Sequence, residues 1–155
     1  MALVLFYHLT RSSAEETAVQ LLPRALAAGW RVMLRACTAE RLDWLDQKLW
    51  QGPEDGFLPH GVEGGPHDAD QPVLLGRGPI TNGARALMLM DGAQPLPGEA
   101  AGLERVWVLF DGLDEVALNG ARGLWKAVVA EGLHAQYWSE ESGRWQMKTE
   151  KPASG

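Results

Sequence analysis

Leu3-Val4-Leu5-Phe6-Tyr7, followed by His8-Leu9-Thr10-Arg11-Ser12, is the stretch that decides the fold. The apolar run reads as a strand buried on both faces, and the polar turn after it leads into a helix. Phosphate-binding α/β proteins begin in this order. Here, however, the turn has no glycine, and no Gly-Lys-Ser or Gly-Lys-Thr follows it. A helix N-terminus at this point can attract an anion, but enclosing a triphosphate in backbone N–H groups needs glycines. The search for function therefore moves away from nucleotide hydrolysis and toward an exterior surface.

Working outward, the strand–helix alternation continues. Ser12 or Ser13 can cap the first helix, because Glu15 and Glu16 each stand three residues later. That helix buries Val19, Leu22 and Leu26 and ends at Gly29, with a kink or division expected at Pro23. Arg31 to Ala36 is a second strand, and Thr38 caps a second helix through Leu42, Leu45 and Leu49 that Gly52 and Pro53 stop. Residues 51 to 83 are rich in proline and glycine and read as a long excursion, with Val73-Leu74-Leu75 as a short edge strand. Two strands follow, Arg85 to Met90 and Val106 to Phe110, each ending in Asp-Gly and separated by a loop with one helical turn. A long helix from about Leu113 to Glu131, a strand at Ala135 to Trp138 and a short strand from Arg144 complete the order. The expected architecture is three-layer α/β, a mostly parallel sheet with helices on both faces. Residues 1–150 form a single domain and 151–155 a loose tail.

Composition narrows the function. The 155 residues are 46% hydrophobic and 22% charged, with a formal net charge of −6. An acidic chain lacks the basic surface that broad nucleic-acid binding needs to displace counterions. Cys37 is the sole cysteine, which rules out a disulfide framework and a thiolate metal site. It is read as a packing residue. No apolar run approaches membrane-spanning length, and a cytoplasmic setting fits.

Ligands of open parallel sheets bind beyond the carboxyl ends of the strands. His8, Asp91 and Asp111 fall there, a base and two carboxylates that could serve a metal-dependent or small-molecule enzyme. The competing reading, which we favour, makes both Asp-Gly pairs turns and His8 a partly buried strand end. His60 and His67-Asp68 are possible metal ligands, but no third and fourth ligand stand at a recognisable spacing. No catalytic residue, cofactor or metal is expected.

The long helix carries the most specific surface. At about 100° per residue, Leu113, Ala117, Gly120, Leu124 and Val128 align as a stripe facing the sheet. The opposite face holds Leu118, Arg122, Trp125, Lys126 and Val129. A solvated helix face is normally polar throughout. A tryptophan between a two-pronged cation and a point charge suits an anionic peptide end that bears an apolar side chain. Equally, Trp125 could pack on the last strand and leave both cations solvated. A second aromatic group, Trp50 and Phe57 around the Gly52-Pro53 break, reads either as a core plug or as interface anchors.

Across nearly the whole chain these residues resemble the chi subunit of bacterial DNA polymerase III. The likeness rests on Phe6-Tyr7, Gly29-Trp30-Arg31-Val32, Ala36-Cys37, Arg41-Leu42-Asp43 with Leu49-Trp50, Phe57-Leu58-Pro59-His60 and Ala121-Arg122-Gly123-Leu124-Trp125-Lys126. The resemblance implies a non-enzymatic bridge on a nucleotide-hydrolase-like fold without the phosphate loop. It also implies two protein partners. One is the acidic, phenylalanine-ended tail of single-stranded-DNA-binding protein (SSB), at Arg122, Trp125 and Lys126. The other is the psi subunit of the clamp loader, at Trp50 and Phe57. DNA would be reached only indirectly, and no membrane is involved. Two departures reduce the positive charge of the tail site: Leu118 stands where enteric relatives have a lysine, and Asp111 where they have an aliphatic residue.

Overall fold

The computed structural model describes residues 2–51 and 58–154. Eight strands form one sheet: β1 (Leu3–Leu9), β2 (Val32–Arg35), β3 (His60–Val62), β4 (Val73–Gly76), β5 (Ala86–Leu89), β6 (Arg105–Asp111), β7 (His134–Ser139) and β8 (Gln146–Lys151). Three helices connect them: α1 (Ala14–Ala27), α2 (Ala39–Trp50) and α3 (Glu115–Ala130). The spatial order is β3-β4-β2-β5-β6-β1-β7-β8. All neighbours run parallel except β8, which returns antiparallel along β7. β1, read first from the sequence, sits between β6 and β7, which explains its unbroken apolar run.

Each helix begins where a short polar side chain can satisfy an orphan N–H. Ser13 accepts from Glu16 N–H at 3.1 Å, Thr38 from Arg41 N–H at 3.1 Å and Asp114 from Val116 N–H at 3.0 Å. Acidic residues in each first turn, Glu15 and Glu16, Glu40 and Glu115, complement the positive end of the helix dipole. Pro23 lies inside α1 without dividing it. It is on the exposed side, where water can reach the carbonyl that loses its partner.

The alternation of the strands feeds two separate cores. Leu5, Leu9, Leu34, Met88 and Leu109 face α1 and α2. Val4, Phe6, Leu87, Val108 and Phe110 face α3. α3 alone covers only part of its face. Irregular chain covers the rest, where Ala84, Ala93, Ala100 and Leu103 join the same cluster as Met33 and Leu74. A buried ion pair holds that cover in place. Arg35, 3% exposed, donates to both oxygens of Glu99 at 2.6 and 2.9 Å and to the carbonyls of Gly78 and Gln94. Burial opposes ionisation of Glu99. The Arg35 guanidinium and the Leu96 N–H outweigh it and hold the carboxyl below the ordinary glutamate range.

Several expectations need correction. Val73-Leu74-Leu75 is an inner strand, because β3 lies outside it; β3 contains only one aliphatic residue, so its sequence gave no strand signal. Cys37 is exposed, and its thiol donates to the Asp91 carbonyl at 3.2 Å instead of packing. β8 extends to Lys151, into the segment expected as tail, and Ser154 N–H donates to the Gly132 carbonyl at 3.0 Å. The stripe of α3 is rotated relative to the one expected. Leu124 and Val128 are buried and Ala117 packs on the core as expected, but Ala121 joins them, Gly120 is exposed, and Leu113 is 78% exposed and precedes the helix. Gly120 buries nothing useful, and Leu118 and Trp125 carry far more apolar area, so the helix turns to bring them onto the core.

Candidate functional site

The end of β6 and the start of α3 set the frame. Asp111 Oδ1 accepts from Leu113 N–H at 2.9 Å, and Gly112 N–H donates to the Leu9 carbonyl at 2.7 Å. The His8 ring lies against Gly112 so closely that any Cβ there would collide with it. Glycine is therefore required at 112 by a side chain from the neighbouring strand. Asp91 (φ 57°) and Gly92 (φ 82°) form the other Asp-Gly turn with two left-handed residues in succession. The Asp91 carboxylate accepts from Arg41 Nε at 2.7 Å.

The candidate catalytic group is not assembled. Asp91 and Asp111 line a cavity over the carboxyl ends of β1, β5 and β6, while His8 does not. Instead His8 Nδ1 lies 2.9 Å from the Tyr137 hydroxyl, and its ring packs on Phe110. Among the described residues no cluster of His, Cys, Asp and Glu could hold a metal. His60 is buried, with Nδ1 2.7 Å from the Leu58 carbonyl and Nε2 3.1 Å from Asp46 Oδ1. Asp68 accepts from the N–H groups of Gly64 and Gly65.

The face of α3 toward β7 has a different chemistry. Arg122 and Lys126 are exposed one turn apart, and among the described residues neither enters an ion pair. Trp125 is half-buried, as in the alternative that packs it on the last strand and leaves both cations solvated. Its ring meets Phe6 edge-on at 5.3 Å and Tyr137 at 6.0 Å. Tyr137 in turn contacts Phe110 at 5.9 Å and His8 at 5.8 Å. Trp125 is thus fixed on an aromatic bed, with part of the indole open beside the two cations. Burial pushes the Tyr137 phenol above its ordinary range, while nearby Arg122 pulls it down and Glu141 raises it. Leu118 is packed against the core at the edge of this surface.

Tyr137 was missed as a site residue. Ala135 and Tyr137 alternate onto one face of β7, and Tyr137 pairs in register with Phe6. The period of two in this strand was the available signal.

Where a phosphate loop would stand, the chain supplies its own anion. The N–H groups of Thr10, Arg11 and Ser12 all donate to Glu140 Oε2, at 3.1, 3.0 and 2.8 Å, and the Ser12 hydroxyl donates to Oε1 at 2.8 Å. Glu140 is 5% exposed. Burial opposes its charge, but these four donors prevail and hold the carboxyl below the ordinary glutamate range.

On the α2 side, Trp50 is 55% exposed at the helix end, and its ring lies 4.6 Å from that of His60. Phe57, expected to accompany it, lies outside the described residues. Among the described residues no helix is long and apolar enough to cross a membrane.

This geometry can be set beside known proteins. Residues 1–136 match the family model described as DNA polymerase III chi subunit, HolC. The chain belongs to the DNA polymerase III chi subunit family. A comparison with individual curated proteins gave no match. As a chi-family member it is an accessory subunit of the replicative polymerase, with its partners in the replisome. The match stops one residue before Tyr137. The carboxyl-terminal hairpin, with Tyr137, Glu140 and β8, therefore completes a chi fold from outside the matched stretch.

Proposed function

We propose that this chi-family subunit is a non-catalytic adaptor that links the clamp loader to SSB by capturing the acidic carboxyl-terminal tail of that protein. Arg122 takes the terminal carboxylate, the open part of Trp125 walls the terminal phenyl ring, and Lys126 attracts the acidic residues upstream. The observation that carries this reading is the pair of exposed cations, without ion-pair partners among the described residues, on either side of an indole fixed by Phe6 and Tyr137. A preformed wall loses little freedom on binding, which favours capture of a flexible chain end. Trp50, exposed at the end of α2, and Phe57, which the family resemblance pairs with it, serve a psi-type clamp-loader subunit. DNA is reached only through the tail.

The test is a titration of a labelled tail peptide against wild type and Arg122→Ala. A charge-assisted hydrogen bond contributes about 1.5–3 kcal/mol, so affinity should fall about tenfold or more. Equal affinities would remove the arginine from the site. Binding should also weaken with salt, since exposed charges are screened over about 8 Å at physiological ionic strength. Calorimetry with magnesium, manganese and nucleotides addresses the enzyme alternative at Asp91 and Asp111, and heat of binding there would favour it.

A further inference from the structure

The cavity lies over the carboxyl ends of β1, β5 and β6, by the amino-terminal ends of α1 and α3 and away from Arg122 and Lys126, and its occupant can be read from its lining. At 890 Å³ it is ligand-sized, well beyond a packing gap. Its apolar part is made by Leu89, Val108, Phe110 and Leu124, and it is roomy because α3 presents Ala117 and Gly120 there. Two aliphatic side chains stand at its mouth in water: Leu113 is 78% and Val116 81% exposed. Such residues gain by being covered.

The charges select what covers them. Glu15, Glu16, Asp91, Asp111 and Asp114 line the cavity, against two cations, Arg11 and Arg41. Arg41 is already held by Asp91 at 2.7 Å and Glu15 at 3.1 Å. The Arg11 guanidinium donates to the Glu141 carbonyl at 3.2 Å. The cavity therefore carries an excess of three negative charges. A nucleotide or other phosphate is disfavoured twice, by that excess and because Glu140 occupies the N–H groups that would receive it.

We propose that this cavity is a second docking site, which receives a basic, leucine-rich segment of a partner protein. Aliphatic side chains of the segment enter over the strand ends, cover Leu113 and Val116 and lie on Leu124 and Phe110. Its lysines or arginines meet Glu16 and Asp114 at the rim. The two flanks of α3 then take ligands of opposite sign, an acidic chain end on one side and a basic segment on the other.

The probe is a labelled amphipathic peptide of leucine and lysine, compared with the same peptide carrying glutamate in place of lysine. Both are titrated against the full chain, against Gly120→Leu and against Val116→Lys. A Cβ at Gly120 meets open space, so leucine fills the cavity while removing a helix-interior glycine. The 81% exposure of Val116 keeps its substitution from disturbing the fold, so that variant decides if Gly120→Leu does not fold. The expected result is binding of the leucine–lysine peptide only, weakened at least tenfold by both substitutions, with tail-peptide affinity unchanged. Absence of binding to wild type, an unchanged Kd in Val116→Lys, or equal binding of both peptides would overturn the proposal. So would dimerisation of wild type, seen by sedimentation and abolished by Gly120→Leu, since a second copy of the chain would then be the occupant.

Discussion

The two flanks of α3 share one helix and one sheet yet differ in almost every respect. Toward β7 the helix shows Arg122, Lys126 and an indole anchored on other rings; toward the cavity at the strand ends it shows small residues, exposed aliphatics and carboxylates. Local sequence explains the contrast. On the β7 side the registered pair of Phe6 and Tyr137 supplies a firm bed, so a large aromatic on α3 is drawn in and held. On the cavity side Ala117 and Gly120 offer nothing to draw in, and the space stays open. The lesson is that a helix with uneven side-chain size along its edges makes one filled surface and one empty one.

Glu140 gives the largest test of that contrast, because its carboxylate fixes the turn between the flanks. Glu140→Ala leaves three N–H groups and a hydroxyl without their anion, and a loss of about 3 kcal/mol in stability is expected. A urea midpoint that falls with an unchanged slope would report it. A loss under about 1 kcal/mol would mean that water satisfies these donors instead. Arg122→Ala comes next, expected to lower tail affinity about tenfold or more while leaving the leucine–lysine peptide untouched. Loss of both activities would show that the flanks are not independent.

Acid provides a milder probe. Glu140 and Glu99 both ionise more readily in the folded chain than in the unfolded one. Their stabilising effect is complete above the ordinary glutamate value of about 4.3 and is lost as pH falls through the lower folded values. Stability should therefore drop on the acid side of that point, and Glu140→Gln should flatten part of the drop and leave the Glu99 share. An acid limb identical in wild type and variant would exclude Glu140 as a contributor. The smallest effect belongs to Leu118→Lys. A lysine stem can keep the aliphatic contacts while its charge reaches solvent. Exposed charges contribute about 0.2–1 kcal/mol, so tail affinity should rise by up to about fivefold at low salt. An unchanged Kd at low salt would mean that the position lies outside the field of the tail.

What could be read from the sequence was whatever local chemistry determines. The caps at Ser13 and Thr38, the double-faced strands β1 and β6 and the Asp-Gly turns all follow from nearest neighbours; the cap at Asp114 was not read. What could not be read depended on distant partners. β3 is a strand because β4 offers it an edge, and Gly112 is indispensable because of His8, a hundred residues upstream or so in chain order. Arg122 and Lys126 were legible as a surface; the depth to which Trp125 sinks was not, since it is set by Tyr137 across the sheet. Glu140 carries no signal at all, because a glutamate after a strand is ordinary until the turn it faces is known.

That glutamate has one more implication. An anion attached to the chain cannot diffuse away, and its effective concentration beside the turn exceeds that of any free competitor. The turn after β1 is therefore held by the chain's own carboxylate and not by a nucleotide phosphate. Where a hydrolase would receive its phosphate, this fold has a permanent counterion of its own.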